Sequence, residues 1–233
     1  MITLNLSGEL LSDDWAELYR CFGYESGFYC PGDVRAAVEQ LKPGEELVLE
    51  INSVGGHVDA AGEIYAVLEK LPNPTKAEIQ SLAASAASYF ILACDRVEIS
   101  LAAQMMIHCG TWGVGGNKFD HLWAAQQLDE TDSTILDVYC RKCGEDKREE
   151  LQQLMEAESY LGAKRCLELG LVDAIIGDVS ESDTGMALVA SVHSNTVRAM
   201  RTLPNIEDLK KRRQNELDAM ETELAAEKAR YIM

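Results

Sequence analysis

The sequence predicts an α/β fold over residues 1–177. Three observations carry that prediction. Short aliphatic runs, such as residues 47–51 and 97–99, alternate with longer stretches of helical spacing. Pro and Gly punctuate the boundaries, at Pro31-Gly32, Pro43-Gly44 and Pro72-Asn73-Pro74. Hydrophobic residues make up 47% of the 233 positions, which is enough to bury a core and too many for wholesale disorder. Strands alternating with helices pack as layers around a sheet.

Residues 2–6 alternate apolar and polar, a strand signal, and residues 10–30 read as irregular and rich in aromatics. Pro31-Gly32-Asp33 opens a helix carrying Val34, Ala37, Val38 and Leu41 on one face, ended by Pro43-Gly44. Residues 47–51 read as a buried strand that runs into a turn, Asn52-Ser53-Val54-Gly55-Gly56. Ala60, Ile64, Val67, Leu68 and Leu71 then share a helical face that stops at Pro72. A short strand at 77–79 precedes the small-residue stretch 81–88, read as opening an apolar helix. Residues 97–99 and 105–108 are further strands, and residues 110–117 are glycine-rich.

A long helix is expected over 118–143, with Phe119, Leu122, Trp123, Ile135, Leu136 and Tyr139 at helical spacing and Gly144 at its end. Such a stripe calls for a covering partner. Helical stretches at 147–155 and 163–169 and a strand at 171–176 complete the body. Residues 178–185 are polar and loop-like, and Leu217, Met220 and Leu224 form an amphipathic stripe beyond them. The expected division is therefore a body of residues 1–177 and a linker with a helical tail, residues 178–233. The run Lys210-Lys211-Arg212-Arg213 in that tail reads as a solvated helix face, or as a docking segment for an acidic partner.

Lys plus Arg is 21 and Asp plus Glu is 39, a net charge of −18. Residues 201–233 hold seven of each sign, so the imbalance sits upstream. That balance argues against nucleic acid or an anionic membrane as partner. The longest nearly apolar stretch, residues 81–94, has 14 residues, short of the ~20 a membrane helix needs. The first 15 residues show no basic region followed by an apolar one, so a cytoplasmic location is expected. Seven cysteines, an odd number in a chain of this size, fit reduced thiols. Cys140 and Cys143 form a single C-x-x-C without a second pair at zinc spacing, and no metal is expected.

Two small-residue turns stand out chemically. Gly55-Gly56 follows a buried strand, where backbone N–H groups could face an anion or an oxyanion, or the pair could simply make a tight turn. Ser85, within Ala83-Ala84-Ser85-Ala86-Ala87-Ser88, could cap a helix or act as a nucleophile. His108 ends an apolar strand and is a candidate general base if it reaches a serine. A carboxylate would fix its tautomer, with Glu156 and Glu158 as the downstream candidates.

Together INSVGG (51–56), SLAASAASYF (81–90), MMIH (105–108) and GAKRCLELGLVD (162–173) resemble the proteolytic subunit of the Clp protease. They look most like the Clp-type peptidases of tailed phages and prophages that mature the viral prohead. The resemblance covers roughly residues 1–177. It implies an α/β fold shared with the crotonases, a spiral of ββα units, here followed by the helical tail. It also implies a self-compartmentalising serine endopeptidase with no cofactor. Ser85 then matches the nucleophile and His108 the base. Counting back from Gly170-Leu171-Val172-Asp173 puts Glu158 at the acidic position, where the family usually has Asp. Backbone amides of Gly56 and Ala86 match the oxyanion hole. Gly55 and the segment with Gly113, Val114, Gly115 and Gly116 match positions that hold extended peptide.

Three positions depart from the family pattern. Val54 stands where proline usually precedes the glycine pair, Ser81 where glycine is frequent, and Glu158 for Asp. Ser88 is the rival nucleophile; motif register favours Ser85. The resemblance further implies a homo-oligomeric ring, a polypeptide substrate such as a capsid or scaffold protein, and an ATPase or portal/capsid partner. The prohead itself then becomes a second expected location. Two other readings are a crotonase-like acyl-CoA enzyme, which needs no Ser-His pair, and a catalytically silent shell or scaffold subunit.

Overall fold

The structure, a computed structural model, describes residues 1–177; the expected tail, with its amphipathic stripe and basic run, lies outside the described residues. Strand β1 spans Ile2–Leu10 and is followed by helix α1, Asp13–Cys21, and the short strand β2, Phe28–Tyr29. Next come α2 (Pro31–Glu39), β3 (Leu47–Gly56), α3 (Val58–Lys70), β4 (Thr75–Ala84) and α4 (Ala86–Phe90). Then follow β5 (Arg96–Ser100), β6 (Gln104–Ile107), α5 (Lys118–Cys143) and α6 (Arg148–Glu156). The described chain ends with β7 (Ser159–Gly162), α7 (Ala163–Leu169) and β8 (Ala174–Ile176).

The eight strands form one sheet whose main path runs β2-β1-β3-β4-β5-β8, all parallel. Parallel neighbours require crossovers; helices predicted from the 3.6-residue spacing supply those after β2, whereas α1, which joins β1 to β2, lies in the stretch expected to be irregular. β4 changes partner along its length. Its first half pairs with β5 through Lys76–Arg96 to Ile79–Ile99, and its second half pairs with β6 through Leu82–Gln104 to Ala84–Met106. β6 in turn pairs antiparallel with β7. This fork brings the ends of three strands to one place.

The core joins both layers. Leu6, Leu49, Ile51, Ile79, Val97 and Ile99 from the sheet are buried against Ile64, Leu68, Phe90 and Leu151 from the helices. Each such side chain contributes about 1.5–3 kcal/mol. Asp173 closes the far edge. Its carboxylate accepts from the backbone N–H of Val97 at 2.7 Å and from Lys142 Nζ at 2.8 Å.

The α/β expectation holds, and the differences have local causes. Residues 10–30 are not irregular. Ser12 caps α1 by accepting from the Trp15 N–H at 3.4 Å, and Asp13 and Asp14 fill its first turn, where acid suits the helix dipole. Its exposed Trp15, Leu18 and Phe22 obscured the amphipathic pattern. INSVGG is not a turn but the end of β3, because Gly55 and Gly56 pair with Glu9 and Leu10 of β1. Likewise residues 81–84 continue β4, and the helix begins only at Ala86. β7 was hidden because its pairing partner, β6, is distant in sequence. The α5 stripe splits in two. Ile135, Leu136 and Tyr139 are buried in this domain's own core, whereas Phe119, Leu122 and Trp123 are exposed.

Candidate active site

Three strand ends deliver the three predicted side chains. Ser85 follows β4 directly, and His108 follows β6. Because Ala84 is in register with Met106, the two residues emerge side by side from neighbouring parallel strands. The N–H of Ser85 donates to the carbonyl of Met106 at 2.8 Å and locks that register. On the antiparallel side Ile107 faces Ser159, so one step on His108 faces Glu158. Sequence separations of 23 and 50 positions are thereby reduced to adjacent rungs.

Ser85 has φ 55° and ψ −128°, a conformation that costs a non-glycine residue of order 1–3 kcal/mol. Its side chain does not cap α4. Instead its Oγ lies 2.7 Å from His108 Nε2. The capping reading is therefore set aside. A ring nitrogen in contact with a serine hydroxyl is the arrangement that proton abstraction requires. Ser88, the rival, is buried and its hydroxyl is engaged with the Ser85 carbonyl and with Tyr139.

Glu158 also has positive φ, 48°. Its Oε1 sits 3.8 Å from His108 Nδ1, an ion-pair distance rather than a hydrogen bond. Its side chain is 71% exposed, against 17% for His108. Charges at such a distance in a water-like surrounding interact by about 1 kcal/mol. Glu156 does not compete for the ring. It ends α6, and its Oε1 accepts from Gln152 Nε2 at 2.9 Å.

The glycine pair is packed against the serine. A Cβ on Gly55 (φ 85°) would lie 2.5 Å from the Ala84 carbonyl oxygen and 2.6 Å from Ser85 Cβ. One on Gly56 would lie 2.0 Å from the Leu10 carbonyl oxygen. Only glycine allows β3 to approach both neighbours so closely. From below, Ser53 braces the pair. Its Oγ accepts from the Gly55 N–H at 3.0 Å, donates to the Gly8 carbonyl at 2.8 Å, and meets the buried Tyr29 hydroxyl at 2.8 Å. That brace was not read from the sequence. A serine inside INSVGG carries no signal of its own, because two of its three partners, Gly8 and Tyr29, come from β1 and β2.

Gly56, Ser85, Ala86 and His108 line one cleft with Val58, Tyr89, Gly110, Thr111, Ile135 and Tyr139. The loop after His108 leaves this cleft at Gly110 and Thr111. Along it Gly113, Gly115 and Gly116 are exposed, Val114 is half-buried, and residues 110–115 pair with no strand. Asn117 and Asp120 then cap α5 reciprocally, through the Phe119 N–H at 2.8 Å and the Asn117 N–H at 2.7 Å. Cys140 and Cys143 sit on α5 as packing groups. Burial pushes the Cys143 thiol up to about 11, which disfavours the thiolate that a ligand or redox role needs.

Among the described residues, no helix is long and apolar enough to cross a membrane. The Clp protease family model matches residues 36–179. The proteolytic subunit 1 of the ATP-dependent Clp protease of Chlamydia muridarum is 30% identical over 143 residues, which cover 60% of this chain and 74% of that protein. The corresponding subunit of Chlamydia trachomatis serovar D is 29% identical over the same length. The ATP-dependent Clp protease proteolytic subunit of Deinococcus radiodurans is 27% identical over 150 residues, 64% of this chain and 73% of the relative. With more than half of its length matched by the family model, and with the serine and histidine of the resembling motifs in contact, this chain belongs to the Clp protease family.

Proposed function

We propose that this protein is a serine endopeptidase in which Ser85 attacks the peptide carbonyl carbon. The observation that carries the reading is the 2.7 Å contact between Ser85 Oγ and His108 Nε2, made by a serine held at positive φ. As Oγ bonds to the carbonyl carbon, its proton passes to Nε2. The carbonyl π electrons move to the oxygen, which the N–H groups of Gly56 and Ala86 receive. Collapse of the tetrahedral intermediate expels the amine, which takes the proton from Nε2. Water then repeats the sequence and releases the acid product and free Ser85. Glu158 favours the imidazolium that forms midway. The unpaired stretch after His108 offers backbone groups to an extended substrate, in the manner of strand addition.

The same reading includes a homo-oligomeric ring, for which the exposed Phe119, Leu122 and Trp123 provide apolar surface. It also includes a role in prohead maturation, with a capsid or scaffold protein as substrate and an ATPase or portal/capsid protein as a further partner. The support for that role is the likeness of INSVGG, SLAASAASYF, MMIH and GAKRCLELGLVD, taken together, to the phage branch of the family. An acyl-CoA enzyme would leave the Ser85–His108 contact without a use.

A fluorophosphonate probe tests the central claim. It is expected to label the wild-type protein at Ser85 and to leave Ser85→Ala unlabelled, with hydrolysis of casein lost in parallel. Equal casein hydrolysis by both proteins would overturn the assignment.

A further inference from the structure

Ser88 and Tyr139 take no part in the chemistry above, yet both hydroxyls are committed to one chain of hydrogen bonds. Ser88 is 0% exposed and Tyr139 1%. Ser88 Oγ donates to the carbonyl oxygen of Ser85 at 2.6 Å, and the Ser88 backbone N–H donates to the same oxygen at 2.9 Å. A hydroxyl has one proton, so Ser88 Oγ, having given its own, accepts from the Tyr139 hydroxyl at 2.6 Å. Burial pushes the Tyr139 hydroxyl well above its ordinary pKa, which keeps it a donor. The chain therefore runs from Tyr139 through Ser88 to the Ser85 carbonyl.

That carbonyl belongs to the peptide unit whose other end is the Ala86 N–H. The unit is planar and trans, so holding the C=O aims the N–H in the opposite direction. Ala86 lines the cleft with Ser85 and His108. The unit also needs holding, because the φ of 55° at Ser85 is one that side chains seldom adopt.

We propose that Ser88 and Tyr139 are positioning residues that set the Ala86 N–H for the oxyanion of the transition state. The proposal rests on the peptidase reading and deepens it. The Ser88 hydroxyl acts through the Ser85 carbonyl, and the Tyr139 hydroxyl acts through Ser88. Removing an oxyanion donor outright costs about 10²–10³ in kcat. A donor that stays in place but loses its brace costs less, about tenfold on the same scale.

The test is steady-state hydrolysis of a short fluorogenic peptide by wild type, Ser88→Ala and Tyr139→Phe, with active sites counted by the fluorophosphonate probe. The kcat per labelled site is expected to fall about tenfold in Ser88→Ala and about threefold in Tyr139→Phe, with KM unchanged. Affinity for a peptide aldehyde, whose adduct with Ser85 places an oxyanion in the hole, should fall by the same factor as kcat. Tyr139→Phe keeps the ring volume and decides the question alone if Ser88→Ala does not fold. Wild-type kcat per labelled site in Tyr139→Phe overturns the proposal. So does a fall in kcat with aldehyde affinity unchanged. A wild-type protein that neither hydrolyses peptide nor takes the probe overturns the peptidase reading instead.

Discussion

At Glu158 the distance to His108 Nδ1 is 3.8 Å and the carboxylate is largely in water, so its field on the ring is weak. A loss of about 1 kcal/mol corresponds to somewhat less than tenfold in rate. Glu158→Gln is therefore expected to lower kcat by roughly that factor, measured on a fluorogenic peptide, while Glu156→Gln leaves it near wild type. A larger effect at Glu156 would mean that the third member of the set is misassigned. Gly55 is the sharper test of the cleft. Gly55→Ala forces a methyl into the Ala84 carbonyl and Ser85 Cβ and also demands φ 85° of alanine. Displacing the serine by even ~1 Å costs on the order of 10²-fold, so peptide hydrolysis should fall at least that far. Retention of most activity in Gly55→Ala would contradict the close approach of β3 to the serine.

At the scale of elements, α5 has two halves with different duties. Tyr139, Ile135 and Leu136 anchor its second half in the core, whereas Phe119, Leu122 and Trp123 stand exposed near its start, with Trp112 edge-on to Trp123 at 5.3 Å between ring centroids. Leu122→Glu should thus leave the fold intact by circular dichroism and weaken assembly, seen as a smaller species in sedimentation. An unchanged sedimentation coefficient would remove this face from the proposed ring. The other joint is between β5, β8 and α5. Asp173→Ala leaves the N–H of Val97 without its carboxylate partner, and Val97 is fully buried. Such a loss costs about 1–3 kcal/mol, to be read as a lowered urea midpoint.

For the whole molecule, the described residues 1–177 hold a continuous core that reaches from Leu6 to Ile175. A chain ending at Gly177 is expected to fold and to hydrolyse a small peptide. Failure to fold, or loss of hydrolysis in a folded product, would place the tail within the working unit. The net charge of −18 opposes bringing copies together. Added salt screens that repulsion, so assembly measured by sedimentation should strengthen as salt rises. A ring that dissociates with salt would point to ion pairs as its main contacts.

The sequence by itself determined the α/β class, because the 3.6-residue and two-residue periodicities are properties of local chain geometry. It determined helix α2 from Pro31 and α5 from Lys118 to Cys143, because caps and breakers act within a few residues. The resemblance of SLAASAASYF, MMIH and GLVD to the Clp family, rather than any pattern within the chain, pointed to Ser85, His108 and Glu158. What the tertiary structure decided depends on partners far apart in sequence. INSVGG became a strand because β1 pairs with it, β7 appeared because β6 waits for it, and Ser88 exchanged the reading of rival nucleophile for a buried bond to Tyr139. The weak, exposed seat of Glu158 belongs to the same group. Its charge is written in the sequence, but its distance from His108 and its access to water are set by where β7 begins, which no local pattern encodes.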